Sequence, residues 1–454
     1  MRARLSQVLS QEKCVVLQSS RPRVVAKFAV CLLLALAAAQ QALAVPNFSP
    51  QRRVGYISGD QWEPALAADG HGHIYILFPQ YGLVSGCPSC TAPTIALSAS
   101  NDNGLSWEAP HPLLPFSTGQ FDPQIVVDPV DRQTLYASWL QNNKRDVMVA
   151  RSQDFGHTWN LAVAERSAGD ADKPVLAVRG ADVYVGFNHQ QKFLVAASHD
   201  YAQTFTSVTV IPNAAPGWSL AGGATVDPNG GVYFSWMAYA RRQLSTRPVN
   251  IYVSRSSDAG RSWSNVLLDI SSAPPDCSAQ ACPAEFLGAQ IALASDAAGT
   301  VYALWNAGTS HGAPERIYFS SSTTGGATWS AKVDVSSANA QVEHCFPAIT
   351  AGVAGDVRIA WMDTRRSPLW NVFLRSSSNG GATWSDQVLL SGPARGYDYI
   401  LPGGFRFPFG DYFSIAIDNL GNTHVAWRSA GIRKLCPIAM PSGVSFVEHA
   451  TVSQ

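Results

Sequence analysis

Charge is scarce in this 454-residue chain: Asp, Glu, Lys and Arg make up only 14% of it. No basic run interrupts it, so the electrostatic footprint of a nucleic-acid binder or a membrane-surface protein is missing. Beyond the first 44 residues there is no long apolar stretch, which leaves nothing to span a bilayer as a helix. No Gly-x-Ser-x-Gly elbow, nucleotide-binding motif or haem motif is present. The histidines form no recognisable triad with Ser and Asp: His71 and His73 fall in a predicted short turn, and His189, His311 and His344 are isolated in sequence.

Gly, Pro and Trp are abundant instead, the composition of a compact all-β protein full of turns. The N-terminus reads as an export signal. Arg21, Arg23 and Lys27 precede the apolar run 28–39, and Ala42-Leu43-Ala44 forms a small-x-small cleavage site before Val45. Residues 1–20 make an unusually long leader, which a start codon placed too far upstream would account for. Removal of 1–44 takes away six basic residues and one acid, leaving 26 basic and 31 acidic residues and a net charge of −5. The expected mature chain, 45–454, is a single domain, secreted or periplasmic, without stable membrane insertion.

One eight-residue phrase occurs six times: Ser, any, Asp, any, Gly, any, Ser or Thr, then an aromatic. The copies start at Ser100, Ser152, Ser198, Ser256, Ser322 and Ser377 and end at Trp107, Trp159, Phe205, Trp263, Trp329 and Trp384. Three copies change one element each, to Ala202, Thr324 or Asn379. Spacings of 46 to 66 residues mean a repeat architecture. The short Asp or Asn side chain accepts backbone N–H groups and closes a tight turn. Gly tolerates positive φ, and the aromatic opens the next strand.

This phrase resembles the Asp-box, or bacterial neuraminidase repeat, of the sialidase-like β-propellers, and the resemblance covers nearly all of the mature chain. It implies four-stranded antiparallel blades, with each box closing the hairpin between the third and fourth strands on the face away from the active site. Seven second strands end in an aromatic: 75–78, 136–139, 184–187, 233–236, 302–305, 358–361 and 424–427. The seventh belongs to a unit without a box that stops short of a fourth strand. The extended stretch 54–58 is expected to supply that strand, closing a seven-bladed ring and hiding a sheet edge. Six blades with a C-terminal appendage is the alternative.

On the face opposite the boxes the predicted loops are long, and such loops on a rigid face are where sites are built. An acidic set precedes the innermost strands: Glu63, Asp122, Asp172, Glu285, Glu343 and Asp411. Carboxylates around one channel mouth repel one another unless a cation or an Arg offsets them, and a calcium ion or a cationic ligand group is one reading; the alternative is that each caps its own turn or pairs locally, and no other cofactor is implied. A basic set shares the face: Arg241, Arg242, Arg365, Arg366, Arg406 and Arg428. The sialidase resemblance implies three arginines on a substrate carboxylate, a Tyr–Glu nucleophile and an Asp acid/base. Trp361-Met362-Asp363-Thr364-Arg365-Arg366 resembles a Trp-x-Asp-x-Arg segment of that superfamily. Phe405-Arg406-Phe407-Pro408 is similar to its Phe-Arg-Ile-Pro signature, although that signature opens the first blade and here it leads into the last. Asp363, Tyr412 and Glu343 are the catalytic candidates, with Tyr397 and Tyr399 as other tyrosines nearby.

Six cysteines follow the signal, and an even number in an exported chain favours disulfides. Cys87 with Cys90 and Cys277 with Cys282 close local loops, leaving Cys345 with Cys436. A zinc site lacks a His at finger-like spacing, and Cys87-Pro88-Ser89-Cys90 lacks the βαβ surroundings of a thioredoxin-like motif. The expected function is recognition of a glycan or cell-surface ligand by the long-loop face, the alternative a sialidase-like exo-glycoside hydrolase.

Overall fold

A computed structural model describes residues 48–453, apart from 168, 170, 190–191, 212–216, 241–246, 274–287, 337, 367–369, 393–409, 411 and 431–444. The described residues contain no α-helix. They form seven antiparallel sheets of four or five strands, the blades of a β-propeller. The innermost strands are Ala65–Ala68, Phe121–Val127, Ala171–Arg179, Trp218–Val226, Ile291–Ser295, His344–Ala351 and Ser414–Ile417. Each contacts the next, and the seventh contacts the first, so the ring is closed.

The second strands carry the packing. Phe78, Trp139, Phe187, Trp236, Trp305, Trp361 and Trp427 are each completely buried. They fall into seven apolar clusters, one at every interface between neighbouring blades. Burial of one such ring contributes about 3 kcal/mol, which makes these interfaces the main cohesive element of the ring.

The repeated phrase folds alike in all six blades, between the third and outer strands. In the first copy Asp102 Oδ1 accepts from Ser106 N at 2.8 Å, and Ser100 Oγ accepts from Gly104 N at 2.9 Å. The accepted donor thus lies four residues on. Thr324 and Asn379 keep the bond, at 2.9 Å from Thr328 N and from Thr383 N. Ala202 adopts φ 60°, the left-handed conformation that glycine would reach without a Cβ penalty.

Ring closure occurs slightly earlier in the chain than expected. Arg52–Arg53 pairs with His449 and Glu448 of Ser445–Val452, extended by a Phe48–Val452 bridge and by Val54 N donating to Val447 O at 3.0 Å. The pairing passes no further than Val54 because Val54 and Tyr56 turn into the apolar cluster between blades 7 and 1. Asp60–Gln61 then joins blade 1.

Cys87 and Cys90 form a disulfide. The expected Cys345–Cys436 link is not made: Cys345 is a buried thiol inside the apolar cluster of blades 6 and 7. Burial raises its pKa well above the ordinary thiol value. Cys277, Cys282 and Cys436 lie outside the described residues.

Candidate functional site

Backbone strain concentrates at one mouth of the central channel. Outside the box turns, eight described residues other than glycine have φ in the left-handed region; all but Arg132 lie at this end of the blades, and six belong to blades 1 to 3: Glu63, Asp122, Asn142, Asn143, Lys144 and Lys173. Such conformations cost about 1–3 kcal/mol each and persist where surrounding structure enforces them, often at ligand sites. Their origin is legible. Glu63, Asp122 and Lys173 each precede a proline, at an irregularity in the pairing of the first and second strands. The extra residues oppose the closing aromatic of the second strand in blades 1, 2 and 3, and the bulge bends the strand at the rim. Phe346-Pro347 repeats the device in blade 6. In blade 4 the bulge is Gly222-Gly223.

At this mouth Lys144 Nζ lies 2.6 Å from Asp172 Oδ1 and 3.6 Å from Asp122 Oδ2. Burial disfavours its charge, but Asp122, Asp172 and Glu63 outweigh burial and hold the ammonium above its usual range. Three of the acidic set, Glu63, Asp122 and Asp172, are therefore offset by a lysine of the chain itself. Among the described residues no group of His, Cys, Asp and Glu is arranged to hold a metal ion. Lys173 is buried, its Nζ 5.3 Å from the centre of the Tyr412 ring. Tyr81 meets Trp62 edge-on at 5.2 Å; burial, then Glu63 and Asp122, push its phenol above the ordinary value. Below lies a channel of about 200 Å³, lined among others by Gln124, Lys173, Gly222, Gln290 and Tyr412.

Other expected site residues have structural employment. Tyr412 donates its hydroxyl to Pro123 O at 2.9 Å, which ties blade 7 to blade 2 and leaves a nucleophile role unsupported. Arg365 grips buried Asp363 at 2.6–3.0 Å, also donates to Gln387 Oε1 and Ser336 O, and stacks on Phe373. Gln387 and Ser336 adjoin the outer strands of blades 6 and 5, so this guanidinium lies toward the rim. Asp363 accepts Trp361 Nε1 as well, at 2.9 Å. Arg428 is buried within the second strand of blade 7, whereas Arg366 is exposed. The described arginines thus do not form the expected carboxylate clamp. Arg241, Arg242, Arg406, Glu285, Asp411, Tyr397 and Tyr399 lie outside the described residues.

Glu343 stands apart, in a second buried cluster between blades 5 and 6. Its Oε1 accepts Glu315 N at 3.0 Å, while its Oε2 is buried with no hydrogen-bond partner among the described residues. Burial pushes its carboxyl up to about 8. Burial and the Glu343 charge raise Glu315, which accepts from Asn306 and Ser271. His344, isolated in sequence, hydrogen-bonds Glu315 O at 2.7 Å and faces Asp363 at 3.8 Å.

Lys144, Lys173 and Tyr81 escaped sequence reasoning. For Lys173 a signal existed: Lys173-Pro174 continues the series Glu63-Pro64 and Asp122-Pro123. Lys144→Ala is expected to destabilise the protein by about 2 kcal/mol, less than a fully buried pair because the lysine is a third exposed. Urea unfolding of the variant against wild type checks this, and Lys144→Arg should restore most of the loss.

No protein-family model and no curated protein sequence matches this chain. Among solved structures it is similar to a protein of unknown function from Dyadobacter fermentans DSM 18053, at 14% identity and TM-score 0.51, over 90% of this chain and 100% of that one. A Hadza microbial sialidase aligns at 15% identity and TM-score 0.46, over 88% of this chain and 68% of that one. An ulvan lyase of polysaccharide lyase family PL25 aligns at 13% identity and TM-score 0.45, over 83% and 93%. These likenesses concern the fold.

Proposed function

We propose that this protein is an exported Asp-box β-propeller that recognises a glycan at the channel mouth of blades 1 to 3. The observation carrying this reading is the convergence of six strained residues on a single cluster of Glu63, Asp122, Asp172, Lys144 and Lys173. Carboxylates held in place by a lysine offer acceptors of fixed direction to sugar hydroxyls. Tyr81, partly exposed and backed edge-on by buried Trp62, adds an aromatic ring beside them, and polar groups converging next to aromatic rings are the usual make-up of a small-ligand site. Binding is favoured over sialidase-like hydrolysis because Arg365, Asp363 and Tyr412 are already committed to structural partners. Export rests on the signal-like segment before Val45.

A glycan array probed with wild type and Lys173→Met tests the reading. Binding of one glycan class by the wild type, lost in the variant, is the expected result. Equal binding by both proteins, or turnover of a fluorogenic sialoside that depends on Arg365, would overturn it. Export is checked by the N-terminal residue of protein recovered outside the cytoplasm, expected at Val45.

A further inference from the structure

Blade 7, which has no box and is completed by the N-terminal strand, differs from the others at two buried positions. Three residues before the closing aromatic of the second strand, five blades place Tyr75, Tyr136, Tyr184, Tyr233 and Tyr302. In blades 1, 4 and 5 that hydroxyl donates to an aspartate six residues upstream, Asp69, Asp227 or Asp296, at 2.7–2.9 Å. Blade 7 has His424, whose Nε2 lies 3.0 Å from Asp418 Oδ2. On the third strand, opposite the residue preceding the aromatic, six blades place Leu97, Val149, Val195, Val253, Phe319 and Leu374. Blade 7 places His449 there.

The two imidazoles stack, ring centres 5.2 Å apart, with His424 Nδ1 3.0 Å from His449 Nε2. Both rings are fully buried. Asp418, as a carboxylate, only accepts, so His424 donates from Nε2. With His424 neutral, its Nδ1 is left as the acceptor facing His449 Nε2, and Thr451 Oγ1 lies 3.2 Å from the same nitrogen. The charged groups facing it are Asp418 on its own blade and Arg52, the register partner of His449 on the closing strand. From blade 1 it meets Gly104, where a Cβ would lie 3.0 Å from His449 Cε1, and the edge of Trp107. Neither titrates.

We propose that His424 and His449 form an acid-sensitive latch on ring closure. A proton added at His449 places buried charge beside Arg52 and releases the closing segment 48–54 from Ser445–Val452. Burial, His424 and Arg52 hold His449 well below its ordinary value of 6.5. The unfolded or opened chain takes up the proton first, so this stabilisation is present above 6.5 and is lost as pH falls below it.

Hydrogen exchange of the whole protein at about pH 7.5 and about pH 5, corrected for intrinsic rates, tests the latch. At the lower pH, segments 48–54 and 445–452 are expected to lose protection at least about tenfold before any other blade opens. The double variant His424→Tyr/His449→Val, which carries the residues of blade 4, should keep both segments protected. Wild-type segments that stay protected near pH 5, simultaneous opening of all seven blades, or acid opening undiminished in the variant would each overturn the proposal. The wild-type exchange pattern decides even if the variant fails to fold.

Discussion

Glu343→Gln is expected to stabilise the protein at neutral pH by on the order of 3 kcal/mol. The Glu343 carboxyl is raised from 4.5 to about 8, chiefly by burial. Between those values the unfolded chain releases a proton that the folded chain retains. Folding therefore loses about 1.4 kcal/mol for each pH unit across the window, and stability is greatest below it. Glutamine keeps the shape and the acceptor for Glu315 N but has no proton to hold. Guanidinium unfolding of both proteins should show nearly equal stabilities near pH 4.5 and a widening gap toward pH 8. A gap of constant size would mean that packing, not ionisation, separates them. This slope runs opposite to that of the His449 latch.

Gly223→Ala is expected to cost about 3 kcal/mol, at the upper end for overpacking. A Cβ there would lie 2.5 Å from Leu293 N and 3.0 Å from Ala292 Cα. Both are backbone atoms of the innermost strand of blade 5, which cannot swing aside like a side chain. Gly222 is as tight, with Ile291 O at 2.4 Å. Gly230→Ala makes the contrast, because nothing lies within 4 Å and only its φ of 86° is strained. About 1 kcal/mol is expected for it. Equal losses in the two variants, measured by chemical denaturation, would show that close approach of blades 4 and 5 does not limit the ring.

The blades were legible because their signals are local and repeated. An aromatic closing each second strand and an Asp or its substitute in each turn set the register, and the register revealed the box-less seventh blade. Closure was displaced by a few residues because Arg52–Arg53 reads as a polar leader, while Val54 and Tyr56, which look like the strand, are core. The site was legible only in part. Glu63, Asp122 and Asp172 stood out as acids before innermost strands. Their cation was hidden, because Lys144 reaches them from a turn of blade 2 that only three consecutive left-handed residues produce. The arginines were misleading for the converse reason: residue type marks a guanidinium as a carboxylate binder, but only packing reveals that Asp363 is the carboxylate Arg365 binds.

Hydrogen exchange with and without a glycan identified on the array tests the placement of the site most directly. Protection is predicted at 60–64, 121–124, 142–146 and 171–174, the strained rim of blades 1 to 3. Protection at the box turns 100–107, 152–159 or 256–263, with the rim unchanged, would contradict it.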